Sequence, residues 1–280
     1  MRAGTKQFWA SFLITLGVLL PLVWCSLLWY DTTRQTALAA QDESSLPIAA
    51  GSRESLHLLA AVAPGSAGQQ PHLALVGLDG PACRITVCVL PGDTSLLTPD
   101  GGSVTLAESY LAAGPARAAQ LLGDTLDISI PLYLAATPAG WDLLLGRTAR
   151  LDTSSLLTDA QRRRLGLESA VAELSVAAAA ALLEESLPAR DKDALETALW
   201  DAFARQSREG LGALPAAIRA QSSRLLTSLS ATELLRLDKL LPYLAGAEAA
   251  VTALTMPGSR AGSRYLLNEE SLAFAAGLPG

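Results

Sequence analysis

Apolar positions fall in blocks along this chain, and the period within the blocks changes. The first block, Phe8 to Tyr30, reads "FWASFLITLGVLLPLVWCSLLWY" and carries no charge. Its length matches the ~20 apolar residues that cross a bilayer as a helix. Trp9 lies near one end and Trp29 and Tyr30 at the other, where amphipathic rings favour the interface. Arg2 and Lys6 precede the block, which predicts a cytoplasmic N-terminus over 1–7 and a main domain outside the cell membrane. Pro21 would kink the helix. "ALAAQ" at 37–41 offers the small-x-small pattern of a cleaved signal peptide, but the apolar run exceeds a usual signal core. A retained single-pass anchor over 8–30 is therefore the expectation. Either way residues 31–280 cross the membrane.

Residues 31–52 are small and polar and read as a stalk. Three short apolar runs follow: "SLHLLAAVA" (55–63), "HLALVGLD" (72–79) and "RITVCVLP" (84–91). They are apolar on both faces, the pattern of buried strands covered by helices. Asp79-Gly80 favours a hairpin turn, so the second and third runs should pair antiparallel. A helix over about 104–122 puts Leu106, Tyr110, Leu111, Ala118, Leu121 and Leu122 on one face, with a break at Gly114-Pro115. "IPLYLAA" (130–136) reads as another strand. Thr137 and Pro138 then mark the start of a short helix.

Beyond 150 the period is helical. Segments near 158–165, 168–187, 190–209, 211–228 and 230–245 are predicted helices, the last opened by a capping box from Ser230 to Glu233. "AAVTALTMP" (249–257) reads as a closing strand, "GSRAGSR" as a loop. The order predicts an α/β fold, an α-β-α sandwich with a mixed central sheet over residues 53–280.

Composition narrows the function. Net charge is −6 and charged residues make up 17%, with no concentrated basic patch, so nucleic acid is not an expected partner. Of three cysteines, Cys25 lies in the apolar segment. Cys83 and Cys88, read on one strand, would stand ~16 Å apart on opposite faces, too far to bridge. Two histidines, His57 and His72, make a histidine-based metal centre a poor expectation. There is no G-x-S-x-G for serine hydrolase chemistry.

Several segments taken in order resemble the LytR-CpsA-Psr family of bacterial envelope proteins. "SLHLLAAVA" sits where that family has a strand ending in Gly-Val-Asp, and "QQPHLALVGLD" where it has Asp-Thr and an apolar strand. "ITVCVLPGDTSLL" resembles its strand ending in Pro-Arg-Asp-Thr, and "LAESYLAAGPARAAQLLGDTLDISIPLYLAATPAGWDLLLG" its helix and Tyr-containing strand. "ARQSREGLGAL" resembles its Arg-Gln helix, and "TALTMPG" with "RYLLNEESL" its closing segment. The resemblance implies a single-anchor membrane protein that handles polyprenyl-pyrophosphate-linked glycopolymer and attaches it to peptidoglycan.

In that family two carboxylates hold Mg²⁺ on the pyrophosphate and arginines neutralise the rest of its charge, as a multiply charged group requires. Here the first carboxylate falls near Val62 or Ala63 and the second near Pro71. The arginine of Pro-Arg-Asp-Thr is Gly92, and only Asp93 survives as a candidate catalytic residue. Arg205 and Gln206 match the Arg-Gln pair, but the arginine three positions earlier is Ala202. Glu184 and Glu185 stand where positive charge is wanted, and Arg84 and Arg190 are possible substitutes for ligand binding. The resemblance thus implies a family-like domain with its transfer chemistry lost. No cofactor is then expected. The second reading is an active phosphotransferase that joins glycopolymer to peptidoglycan, with a site rebuilt from residues such as Asp93, Arg84 and Arg205, and only that reading calls for Mg²⁺. A cell-surface scaffold without a ligand site is the third reading.

Overall fold

A computed structural model describes residues 51–278. The anchor segment 8–30 and most of the stalk lie outside the described residues. No helix among the described residues is long and apolar enough to cross a membrane.

The centre is a mixed six-stranded sheet in the order β10 (Ala250–Thr255), β3 (Arg84–Leu90), β2 (His72–Asp79), β1 (Ser55–Val62), β6 (Tyr133–Ala136), β9 (Leu225–Thr227), and β4 (Ser95–Leu97) with β5 (Ser103–Thr105) forms a separate hairpin. Strands β1 (Ser55–Val62), β2 (His72–Asp79) and β3 (Arg84–Leu90) form an antiparallel meander. The hairpin at Asp79-Gly80 is as predicted, with Asp79 opposite Arg84. β6 (Tyr133–Ala136) joins β1 in parallel, and β10 (Ala250–Thr255) joins β3 in parallel. β9 (Leu225–Thr227) closes one edge antiparallel to β6.

Alternation sorts the strand residues onto two faces. Leu58, Ala60, Val62, Ala74, Leu78, Ile85, Val87 and Val89 belong to the first. Leu59, Ala61, Leu73, Leu75, Cys88 and Leu90 belong to the second. Neither face can be left in water, so helices cover both. The second face takes α1 (Leu106–Leu126), which contributes Leu106, Tyr110, Ala118, Leu121, Leu122 and Leu126. Thr105 and Glu108 form its capping box. Inside it Gly114 adopts φ 77°, a left-handed conformation that glycine reaches without steric cost, and Pro115 follows, so the helix kinks where predicted.

The first face takes several shorter helices: α2 (Pro138–Leu145), α4 (Val176–Leu183), α5 (Ala189–Ser207), α6 (Leu214–Ala220) and α7 (Ala231–Gly246). The capping box of Ser230 and Glu233 opens α7. A small helix, α3 (Asp159–Arg164), lies between α2 and α4 in the chain, and α8 (Glu269–Ala276) ends it on the second face.

Three expectations fail locally. The helix predicted over 168–187 is a strand, β8 (Val171–Leu174), followed by α4. β8 pairs with β7 (Ala149–Asp152), and Ser175 caps α4 by accepting from the Ala178 amide, so the helix cannot start earlier. The helix predicted over 211–228 ends at Ala220, and its last residues become β9 because the sheet edge supplies partners. "GSRAGSR" is a hairpin, β11 (Ser259–Ala261) with β12 (Arg264–Leu266), turned by Gly262 at φ 62°.

Cys83 and Cys88 are both free. Cys83 sits in the turn before β3 rather than on it. Cys88 is buried in the second face, and that burial pushes its thiol up to about 12.

Candidate functional site

One end of the sheet gathers the polar groups. There the last residue of β1 meets the first of β2, Val62 opposite His72, and β3 ends beside it with Leu73 opposite Leu90. β10 ends at the same place, with Thr255 beside Val89. Helix α5 crosses this end and presents Asp193, Glu196 and Thr197 to it. Thr197 and Thr255 share a hydroxyl hydrogen bond of 2.8 Å.

His72 and Glu196 form a buried pair. Nδ1 of His72 lies 3.2 Å from Oε1 of Glu196, and both side chains are only 7% exposed. Nε2 of the same ring is buried and has no hydrogen-bond partner among the described residues. The nearest charge to it is Glu184, whose Oε1 stands 3.9 Å away and accepts from the Gln70 amide at 3.1 Å.

His72 also lines a cavity of about 170 Å³ between the first face and α2, α4, α5, α6 and α7. Leu58, Val62, Val87, Trp141, Trp200 and Phe203 are among its walls. Among the described residues, its lining is aliphatic or aromatic except for His72 and Ser207. Trp141 spends its N–H on the Ala61 carbonyl at 2.8 Å.

Asp93 answers the question that Gly92 raises. It pairs with Arg260 of β11, and Arg260 also grips Asp193 of α5 through both Nε and Nη2. The guanidinium lies over the Tyr265 ring at 5.5 Å. Burial raises the Asp193 pKa, and Asp93 and Glu196 nearby add to it, while Arg260 opposes the rise. Thr94 turns the chain by bonding the Pro91 carbonyl through its amide and its hydroxyl. Asp93 is thus held as one end of a clamp between β3, the β11–β12 hairpin and α5.

The other residues singled out from sequence do not join it. Arg84 pairs with Asp79 at the opposite end of β3. Arg190 is exposed in the first turn of α5 and makes no ion pair among the described residues. Arg205 pairs with Asp201 one turn back on the same helix. Gln206 bonds both backbone groups of Arg150, fastening α5 to β7. Arg205 and Gln206 line a shallow cleft with Arg147 and Arg208, apart from the cavity. The sequence reading missed His72 with its acids and Arg260. Among the described residues, the titratable group within 4 Å of the Glu184 carboxylate is the buried His72 ring.

The positions of the absent ligands do converge. A side-chain carbon built on Gly92 would lie 3.9 Å from the Pro71 carbonyl, and Ala63 and Pro71 flank the Val62–His72 pair. None of these residues can ligate a cation through its side chain. No group of three or more His, Cys, Asp or Glu among the described residues could hold a metal ion. The residues present do not fit Mg²⁺.

No family model matches this sequence, and no curated protein matches it. Solved structures do match in three dimensions. Bacillus subtilis TagV superimposes with a TM-score of 0.57 at 15% identity, over 79% of this chain and 94% of that one. B. subtilis TagT gives 0.57 at 12% identity, over 84% and 92%. TagT bound to LI-WTA gives 0.60 at 12% identity over the same shares. Lin1025 of Listeria innocua gives 0.55 at 11% identity, over 80% and 95%. At such identities the likeness speaks to the fold, and the described chain has the LytR-CpsA-Psr fold seen in TagT and TagV.

Proposed function

We propose that this protein handles a lipid-linked cell-envelope glycopolymer without transferring it. On this reading it works outside the cell membrane, anchored by residues 8–30, and the cavity holds the carrier's apolar tail. The observation that carries the reading is a juxtaposition. An apolar cavity on a LytR-CpsA-Psr fold is lined in part by His72, at the end of the sheet where the resemblance implies a pyrophosphate centre, and no group of side chains among the described residues could hold a metal ion there. Ala63, Pro71 and Gly92 stand where carboxylates and an arginine are wanted. Glu184, Glu196 and Asp193 bring negative charge to the same end. Phosphoryl transfer depends on neutralising phosphate charge, and this constellation works against it.

TagT has been solved bound to LI-WTA, which supports a glycopolymer-linked lipid as the class of ligand. A transferase rebuilt from Asp93, Arg84 and Arg205 draws no support, because each of the three is committed to a separate ion pair. A scaffold without a ligand leaves the cavity without a purpose.

The test uses the full chain in detergent with a polyprenyl-linked glycopolymer and peptidoglycan, with and without Mg²⁺. The expected result is that the lipid co-elutes with the protein and no glycan reaches the peptidoglycan. Transfer that depends on Mg²⁺ would overturn the loss of chemistry. Failure of the lipid to co-elute would overturn the carrier reading.

A further inference from the structure

Helix α5 joins two regions of unlike charge. Its first half reaches the sheet end that carries Asp93, Asp193, Glu184 and Glu196. Its last turn carries Arg205, twelve positions beyond Asp193 (193 to 205) and so about 18 Å away along the helix. There Arg147 and Thr148, from the turn between α2 and β7, line a shallow cleft with Arg205, Arg208 and Glu209. The cleft is fastened from behind. Gln206 bonds both backbone groups of Arg150, and its carbonyl accepts from Arg147 Nη1 at 3.4 Å.

Most donors of the cleft remain open to solvent. Arg205 gives Nε to Asp201, and its side chain is 57% exposed. Arg147 stands 3.7 Å from Glu209, beyond a hydrogen bond, and that carboxylate is 81% exposed. Arg208 makes no ion pair among the described residues. Exposed pairs of this kind contribute little, so an anion arriving from solvent competes with them. A guanidinium stays charged at any working pH, and its paired N–H groups match the oxygens of a phosphate.

The place where the chain enters the domain selects among phosphates. Residues 31–50 lead from the expected anchor to Gly51, which packs so closely on α7 that a side-chain carbon there would collide with the Lys239 carbonyl. A carbon built on Gly212 would meet the same helix one turn on, at 3.7 Å from Pro242 Cα. One built on Gly210 would lie 3.7 Å from Arg147 Nε. One turn of α7 and the 3₁₀ turn Arg208–Ala213 thus connect the point of entry to the cleft. Residues 31–50, fully extended, span at most about 70 Å. An anchored domain therefore never leaves the neighbourhood of its bilayer, and even a weak surface contact forms at high effective concentration.

We propose that the arginine cleft at the end of α5 docks on the phosphodiester headgroups of an anionic bilayer. The inference rests on the reading that residues 8–30 anchor the chain, and adds which face of the domain meets the membrane. The acidic sheet end is repelled by the same surface. Leu211, in the same turn as Arg208, lines the cavity, so the docked face also brings that wall toward the lipid.

The experiment reconstitutes the full chain in vesicles of phosphatidylcholine, with and without phosphatidylglycerol, and reads backbone hydrogen exchange by mass spectrometry. Each arginine near an anionic surface is worth about fivefold in partitioning, so three favour docking on the order of a hundredfold. Exchange in segments 146–149 and 205–210 should slow about fivefold in the charged vesicles, while segment 259–265 at the sheet end stays unchanged. Arg147→Gln combined with Arg208→Gln should remove most of the slowing. Salt near ~1 M should do the same to the unaltered chain, since it screens beyond about 3 Å.

Equal exchange in both vesicles, for a chain that floats with them, would overturn the docking and leave the anchor intact. Equal slowing at the sheet end would show that the domain meets the bilayer with no preferred face, and would overturn it too. Slowing caused by soluble poly(glycerol phosphate) on neutral vesicles, with none from phosphatidylglycerol, would give the cleft to a wall polymer instead. A chain that floats with neither vesicle would sink the inference together with the anchor.

Discussion

Neighbouring residues on one strand, Ala60 and Ala61, look out on two different kinds of packing. Ala61 faces α1, where Leu59, Leu73, Leu75, Leu90, Leu106 and Leu122 are all fully buried in one cluster. Ala60 faces the cavity and the shorter helices. The strands are the same, and both faces are equally apolar. The difference lies in the cover. One long helix, bent once at Gly114, settles its leucines against the second face. The first face is roofed by α2, α4, α5, α6 and α7, which leave about 170 Å³ between them. At about 24 cal/mol per Å³, roughly 4 kcal/mol of packing is forgone there, which a bound chain would restore. An unfilled roof is therefore not the unavoidable result of covering an apolar sheet.

The largest effects should come from leucines cut back on the two faces. Leu122→Ala, on the filled face, should cost roughly 4 kcal/mol. Leu241→Ala, on the cavity wall, should cost roughly 2.5 kcal/mol, because that side chain already lacks partners on one side. Urea unfolding of the two variants checks the order. Equal losses would mean the cavity is filled in solution and the comparison of the faces is wrong.

The clamp at the sheet end is the next test. Arg260→Met leaves Asp93 and Asp193 facing each other, partly buried, and should cost about 2 kcal/mol at neutral pH. The pH dependence follows from Asp193. Burial raises its folded pKa above the unfolded value, so its contribution is full below about pH 3.9 and lost as pH rises through the folded value. Arg260 holds that rise down. Without it the loss should deepen, so the penalty of Arg260→Met grows as pH rises from the acid side to neutral. A penalty that stays constant with pH would mean that Arg260 acts by packing on Tyr265 and not by charge.

The sharpest version of the comparison uses the adjacent alanines. Ala61→Val adds volume to the filled face and should destabilise by about 1.5 kcal/mol. Ala60→Val adds the same volume on the cavity side, in a strand that suits β-branched residues, and should stabilise by about 1 kcal/mol. Thermal melts of the two variants should shift in opposite directions. Shifts of the same sign would show that the two faces do not differ in free volume.

How far the sequence revealed this arrangement depended on separation along the chain. β1, β2 and β3 were legible because their patterns are local and their turns short. The kink at Gly114 and the caps at Thr137 and Ser230 were legible for the same reason. β8 and β9 were not, since each is a strand only by virtue of its partner, β7 or β6. The site was least legible. His72 meets Glu196 across 124 positions, and Gln70 meets Glu184 across 114. Asp93 drew notice from the glycine beside it, but its partner, Arg260, lies in a stretch that reads as a loop and folds as a hairpin.

Gly92 gives the smallest effect and bears most directly on how the site came to be. A glycine where the resemblance implies an arginine has two explanations. Either the backbone demands glycine, and the arginine is excluded by geometry, or the position is permissive and the arginine is simply gone. Gly92 is not among the residues with positive φ. A side-chain carbon built on it would meet Ala107 Cβ at 3.4 Å and the Pro71 carbonyl at 3.9 Å, ordinary contacts. Gly80 is the opposite case, since the same carbon there would fall 2.3 Å from the Gly51 carbonyl. Gly92→Ala should then stabilise by about 0.5 kcal/mol, by restricting the unfolded chain without straining the folded one. Chemical unfolding of that variant resolves the choice. A gain supports a permissive position, where the want of an arginine belongs with the acids around His72 as a loss of phosphate-neutralising charge. A loss of a kilocalorie or more, ~1 kcal/mol or above, would tie the glycine to the turn and detach it from any account of the ligand.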